Sequence, residues 1–349
     1  MDGKNLKAFK YRIYPNQFQE NFFAQTFGSV RFVYNKMLEE KLQALDNKQK
    51  VPQITPAKYK KEYPFLQQVD SLALMNAMRN LDKAFKNFFK NKKHFGLPKF
   101  KKKKGKQKYT TNNVNNNIKI DFENELLFLP KLKQGVKIKL HRKFEGRIIS
   151  VTISKTQSGK YYASILVELS NPEDVRNKTR QPKNQVCGID LGLYDFVTIT
   201  NDSGTQKISH PKYLRKAEKK LKKLQRQLNR KKRGSNNYEK ARIKLAKYHE
   251  YVENARNDFL HKLSKAIIDD NQVIVAEDLN IKGMIKNKHL SKSISDSGFG
   301  KFIKYLEYKA NWYGRKLVIV DRFYPSSKLC SVCGYKNRLK LSDRYWTCP

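Results

Sequence analysis

The chain has 349 residues, 39% of them hydrophobic, and carries a formal net charge of +43. That length and apolar content allow two or three domains with buried cores and exclude a disordered basic tail. A field of this size and sign draws polyanions, and 12% aromatics interleaved with Lys and Arg point to nucleic acid.

The N-terminal MDGKNLKAFKYRIYP has no signal-peptide core, and no apolar run reaches 18 residues, so no membrane partner is expected. Four cysteines, three of them near the C-terminus, do not make a disulfide framework, and a reducing, cytoplasmic compartment follows. LKAFKYRIYP alternates and ends in proline, the pattern of an edge strand. Helical spacing then runs through FGSVRFVYNKML and, after a proline-marked connector, through SLALMNAMRNLDKAFKNFFKNK. In the latter, Leu74, Met78, Leu81, Phe85 and Phe89 form one core-facing stripe.

FGLPKFKKKKGKQKYTT breaks the composition, with six lysines among residues 101–108. It reads as a loop lying against a phosphate backbone, with Lys101, Lys102, Lys103 and Lys104 as its contacts. Tyr109, Thr110 and Thr111 follow and are placed to reach base edges or phosphates. Five short strand patterns come next, up to KYYASILVEL, and suggest a small barrel or folded sheet that the N-terminal strand joins. NPEDVRNKTRQPKNQ reads as a linker.

The second half alternates strands and helices and reads as α/β. VCGIDLG, DFVTITN and TQKISH are strands. A long helical hairpin follows, with Leu214, Leu221 and Leu228 in one arm, Leu245, Val252 and Phe259 in the other, and GSNN at the corner. From Lys212 to Arg233 the first arm holds twelve Lys or Arg against the single acid Glu218. Its Lys219, Lys220, Lys223, Arg226 and Arg230 are expected to hold a nucleic-acid backbone.

Two apolar strands, VCGIDLG and VIVAEDL, each end by presenting an acid, Asp190 and Glu277. On neighbouring strands these carboxylates converge at one sheet end, where hard Mg²⁺ ions find the oxygen ligands that clamp a phosphodiester during cleavage. A strand–hairpin–helix–strand order with acids at these points is the RNase H-like layout. Cys330-x2-Cys333 and Cys348 give three of the four thiolates of a zinc ribbon.

In these motifs, from KYRIYPN through LPKFKKKKGKQKYTT, GIDLG, AEDLNIKGM, GFGKFIKYLEYKANWYG and VDRFYPSSKLCSVCG, the chain resembles the TnpB family, transposon-encoded RNA-guided nucleases related to the small type V CRISPR nucleases. The resemblance implies an α+β multidomain protein. A wedge-like β-barrel (residues 1–15 and 100–180) would be interrupted by a helical recognition insertion (16–99). A RuvC-like RNase H-fold domain (181–329) with a basic helical hairpin (208–268) and an incomplete zinc ribbon (330–349) would follow. It implies a guide RNA made from the transposon end or an adjacent transcript, Mg and Zn as ions, and target double-stranded DNA with a short flanking motif. It also implies a bacterial, nucleoid-associated setting. Asp190 and Glu277 match the family's first two catalytic acids, and the cysteines match three ribbon ligands. The family's fourth cysteine and third acid would lie beyond Pro349. On that ground the expectation is a cleavage-deficient protein that represses transcription by occupying its target. The alternative is an Mg-dependent endonuclease whose C-terminal end is missing here, and a third reading is a plain basic RNA-binding protein.

Overall fold

The computed structural model describes residues 6–169, 181–322, 324–325, 328–330, 332–338 and 346–349. The chain divides into two units, Met1–Pro172 and Glu173–Pro349. The expected linker falls largely on residues 170–180, outside the described residues.

The first unit begins with β1 (Leu6–Tyr14) and α1 (Gln17–Asp46). Asn16 starts α1 with a capping box: its side chain accepts from the Gln19 N–H at 2.9 Å, and Gln19 reaches back to the Asn16 N–H at 3.1 Å. After α2 (Pro56–Glu62) and a single 3₁₀ turn, Asp70 caps α3 (Ser71–Lys90). Six strands follow: β2 (Gln107–Asn112), β3 (Lys119–Asp121), β4 (Leu126–Phe128), β5 (Val136–Lys139), β6 (Gly146–Lys155) and β7 (Tyr161–Leu169).

These strands and β1 form one antiparallel sheet in the order β2-β6-β7-β1-β5-β4-β3. Of the expected barrel or folded sheet, the structure gives an open half-barrel: among the described residues its end strands β2 and β3 do not pair. The expected edge strand β1 is central, held by β7 on one side and β5 on the other. Pro15 permits this because it lies just past the strand and removes no ladder bond. The sheet buries Tyr109 and Tyr161 against Phe23 and Phe27 of α1. In α3 the buried stripe is Leu74, Ala77, Leu81 and Phe85. Met78 is only partly buried, and Phe89 is exposed past the end of the core.

The second unit starts with the meander β8 (Asn184–Asp190), β9 (Asp195–Asn201) and β10 (Gly204–Ser209). The hairpin α4 (Tyr213–Asn229) and α5 (Asn236–Asp270) leads into β11 (Asn271–Glu277). Then come the short α6 (Ile281–Met284) and α7 (Ser291–Ser297), α8 (Phe299–Tyr313) and β12 (Lys316–Val320). The sheet order is β10-β9-β8-β11-β12, antiparallel up to β8 and parallel across β8-β11-β12. This is the α/β sheet that the alternating pattern predicts. Cys187, Ile189, Phe196, Ile274 and Ala276 pack against Leu260 and Ile267 of α5 and Phe299, Phe302 and Leu306 of α8.

The hairpin keeps a separate seam of Ala217, Leu221, Leu224, Leu228, Leu245 and Val252. Phe259 breaks the predicted heptad. It leaves the seam and meets Phe196 edge-on, with ring centroids 5.2 Å apart, because α5 has by then reached the sheet.

Candidate metal centres and nucleic-acid interface

The β8–β11 register fixes the two acids. Ala276 lies opposite Ile189, and the same offset brings Glu277 level with Asp190. Cys187, Ile189, Ile274 and Ala276 turn toward the helices. Strand alternation therefore puts Asp190 and Glu277 on the other face, at the C-terminal ends of two parallel strands. Asp190 is exposed and Glu277 half-buried. The neighbouring Asp278 is committed elsewhere, bound by the Arg322 guanidinium at 2.5 Å. Asp321 follows Val320, which pairs with Glu277, and so has the opposite strand parity. Two level carboxylates suit a hard divalent cation that retains several waters.

The five cations predicted on the first hairpin arm, Lys219, Lys220, Lys223, Arg226 and Arg230, are all exposed. The seam takes the leucines and leaves these side chains outside. Lys220 rests its ammonium 4.6 Å from the centre of the Tyr248 ring on the second arm. Within the lysine run, Lys102, Lys103 and Lys104 are exposed, and the backbone of Lys101 is clamped by the Asn35 amide through bonds of 3.0 and 2.8 Å. Lys101 as a whole is exposed, but its ammonium lies over the Tyr34 ring, 3.6 Å from the centroid. Burial of that head, and then the charge of Lys108, lower its pKa to about 8.

Of the three residues after the run, Tyr109 and Thr111 turn inward and Thr110 does not. Tyr109 is 4% exposed and packs with Phe23 and Phe27, so it cannot meet a base. Thr111 is 1% exposed and donates its hydroxyl to Asp70, tying β2 to the start of α3. Both point inward because β2 alternates and that parity faces α1 and α3. Thr110 has the other parity and shares a hydroxyl contact of 2.7 Å with Thr152. It borders a groove of about 290 Å³ between α1, α3 and the lysine loop, where Arg31, Asn80, Lys102 and Lys108 also line the walls. Sequence reasoning missed Arg31 and Asn80, which lie on the helices and outside any charge run. Nothing in the local pattern marks them, since Asn80 is exposed and Arg31 half-buried on otherwise ordinary amphipathic helices.

Cys330, Cys333 and Cys348 bring their sulfurs within 4.8 Å of one another, and Cys333 and Cys348 are 3.4 Å apart. Ligands about 2.3 Å from one tetrahedral zinc fall at such spacings. The knuckle is local: the Gly334 N–H donates to the Cys330 carbonyl at 3.0 Å, and the Cys330 N–H to Tyr335 at 2.9 Å. Gly334 takes φ +74°, a conformation natural to glycine. N–H groups of Cys333 and Val332 lower the Cys330 thiol to about 7, while the hydrogen bond with Cys333 pushes Cys348 up to about 12. A metal bound here would displace the thiol protons. The donor set fits zinc, with these three thiolates as ligands.

A cavity at the end of the second sheet, beside Tyr194, has no signal in the sequence pattern; its floor is Asp296. Among the described residues, no helix is long and apolar enough to cross a membrane.

The fold is that of a Cas12f1 chain. A solved Cas12f1–sgRNA–target DNA complex superposes with a TM-score of 0.52 over 92% of this chain and 76% of that one, at 17% identity. Residues 164–288 match the OrfB family of IS605, described as "Probable transposase". Residues 1–50 match its helix-turn-helix domain, and residues 299–349, which include the three cysteines, match a Cas12f1-like TNB domain. In the helix-turn-helix match the described residues form one strand and one long helix. A "Putative RNA-guided DNA endonuclease" of Streptomyces pristinaespiralis is 37% identical over 98% of this chain and 84% of its own length. The InsQ protein of Escherichia coli K12, described in the same words, is 30% identical over 97% of this chain and 87% of its own. The chain belongs to the TnpB family, the OrfB proteins of IS605.

Proposed function

We propose that this protein is an RNA-guided, sequence-specific binder of double-stranded DNA whose second unit holds a divalent-cation centre. The observation that carries the reading is the level pair Asp190 and Glu277 at the ends of two parallel strands, in a chain aligned along nearly its whole length with relatives described as RNA-guided DNA endonucleases. Sequence reading passes to guide pairing, and the protein grips the heteroduplex by its backbone. Lys102–Lys104 and the exposed hairpin cations supply that grip. The groove of Arg31, Asn80 and Thr110 is the candidate reader of a short flanking motif, since Arg and Asn make the bidentate base contacts of a duplex groove. Asp190 and Glu277 would hold Mg²⁺, which polarises the scissile phosphate when bound, and the three cysteines would hold zinc.

A second reading is occupancy of the guide-matched target without strand breakage, and hence transcriptional repression. The test mixes the protein, its co-expressed RNA, guide-matched duplex and Mg²⁺, and scores binding and strand breaks in the same tubes. Guide-dependent binding with breaks lost in Asp190→Ala or Glu277→Ala supports the endonuclease. Guide-dependent binding without breaks supports repression. Binding indifferent to guide complementarity sinks both.

A further inference from the structure

Tyr194 is 84% exposed, although a large aromatic ring ordinarily gains by burial. It is held at the tip of the β8–β9 turn by its neighbours. The Gly192 N–H donates to the Phe196 carbonyl at 3.3 Å, and a Cβ at Gly192 would lie 2.7 Å from the Asp195 carbonyl oxygen. Beyond the ring, the His210 N–H donates to the Tyr194 carbonyl at 3.3 Å. The Lys212 ammonium lies 5.6 Å from the ring centroid.

Behind Tyr194 is a cavity of about 260 Å³, lined also by His210, Lys212, Arg215, Lys292 and Asp296. Its one acid is already engaged. Asp296 is 4% exposed and accepts the Leu214 N–H at 3.0 Å and the Arg215 N–H at 3.4 Å, capping the first turn of α4. That cap comes from α7, because Lys212 at the N-cap position has no side-chain bond to offer. Lys292 is turned to Glu218. The wall is therefore apolar and cationic, with Leu193, Leu214 and Leu290 beside the Tyr194 ring, and its negative charge is offset. The volume, about 260 Å³, lies just below the ~300–1,000 Å³ of pockets for drug-sized ligands and suits a single base.

Location supplies the remaining argument. β8 and β11 end at Asp190 and Glu277, β9 begins opposite that end, and β10 returns to it before α4 starts. The cavity thus opens at the same sheet end as the two carboxylates. Ligands of open α/β sheets bind outside the carboxyl ends of the strands. We propose that this cavity takes one nucleotide of an unpaired nucleic-acid strand, with its base stacked on Tyr194 and its phosphate beside Lys212 and Arg215. The proposal rests on the reading of the second unit as a nucleic-acid centre and adds a seat for the strand next to it.

The test uses the full chain and a short oligo-dT carrying one 2-aminopurine, whose fluorescence falls when it stacks on an aromatic ring. Wild type and Tyr194→Phe should quench it alike, since stacking needs the ring and not the hydroxyl. Tyr194→Ala should lose the quench and bind about 5- to 150-fold more weakly, the range expected for removing one base–aromatic stack. Lys212→Ala should keep the quench while weakening binding and lowering its salt dependence. Quenching and affinity unchanged in Tyr194→Ala would overturn the proposal. So would Tyr194-dependent capture of a polyglutamate peptide with no Tyr194-dependent oligonucleotide binding, which would make the site a protein-docking surface. The readout needs neither guide RNA nor cleavage. It stands even if the wild-type complex ignores a guide-matched duplex, a failure that would sink the broader reading alone.

Discussion

Lys101 differs from the three lysines that follow it. Its ammonium lies against Tyr34, and burial of that head followed by the charge of Lys108 holds its pKa near 8, against 10.5 for a free lysine. The ring's attraction for a cation offsets part of that burial cost. Between about pH 8 and pH 10.5 the unfolded chain binds a proton at this position that the folded chain has released, so the stability contributed by this group rises with pH across that window. Below pH 8 both states are charged and the burial cost is fully present. Lys101→Met removes the titration. The melting temperature of the variant should therefore exceed that of wild type at pH 7, and the gap should close by pH 10. A gap constant over that range would mean that Lys101 keeps its solvent-like pKa. Single residues also mark what is legible in the sequence. The strand-end placement of Asp190 and Glu277 is legible because an apolar strand ending in an acid is a local pattern that needs no distant partner. The inward placement of Tyr109 is not, because its burial depends on Phe23 and Phe27, far upstream in α1, and a tyrosine after a lysine run looks the same whether its strand parity faces the core or the solvent.

Among the elements, the α4–α5 hairpin separates packed residues from exposed cations most cleanly. Its seam of Leu221, Leu224, Leu228, Leu245 and Val252 is buried, and its cations stand outside that seam. The heptad spacing reveals this division at once, since a leucine every seventh residue fixes which face packs. It fails at Phe259, where periodicity cannot say that a helix has passed from its partner to a sheet. The placement of β1 escaped for a related reason: strand order depends on non-local pairing, and a proline after the last residue is compatible with either an edge or a centre. Replacing Lys219, Lys223, Arg226 and Arg230 together with Gln should leave helix content unchanged, because none of the four packs in the seam. The slope of log K against log salt for duplex binding should fall by about 3, at ~0.7–0.9 for each phosphate that is no longer neutralised. An unchanged slope would remove the hairpin from the interface.

For the whole molecule, 74 basic residues face 31 acidic ones. Ion pairs such as Lys41–Asp82 at 2.6 Å and Arg147–Glu168 at 3.1 Å use up acids one at a time and leave a large cationic surplus. That surplus repels itself in the folded state, where the charges are closest, and salt screens it over a Debye length of about 10 Å at 0.1 M. Raising ionic strength should therefore raise the melting temperature of the free protein. The protein bound to its co-expressed RNA should respond with the opposite sign. There the surplus is already neutralised, binding stabilises the folded state by mass action, and salt weakens that binding through competition with released counterions. Two melting series in NaCl, from about 0.05 to 0.5 M, should start far apart and converge. A free protein whose melting temperature is flat or falls with salt would show that its cations are paired within the fold and not held apart for a polyanion. Convergence requires both that the surplus is repulsive without RNA and that RNA neutralises it, and composition alone states only the first.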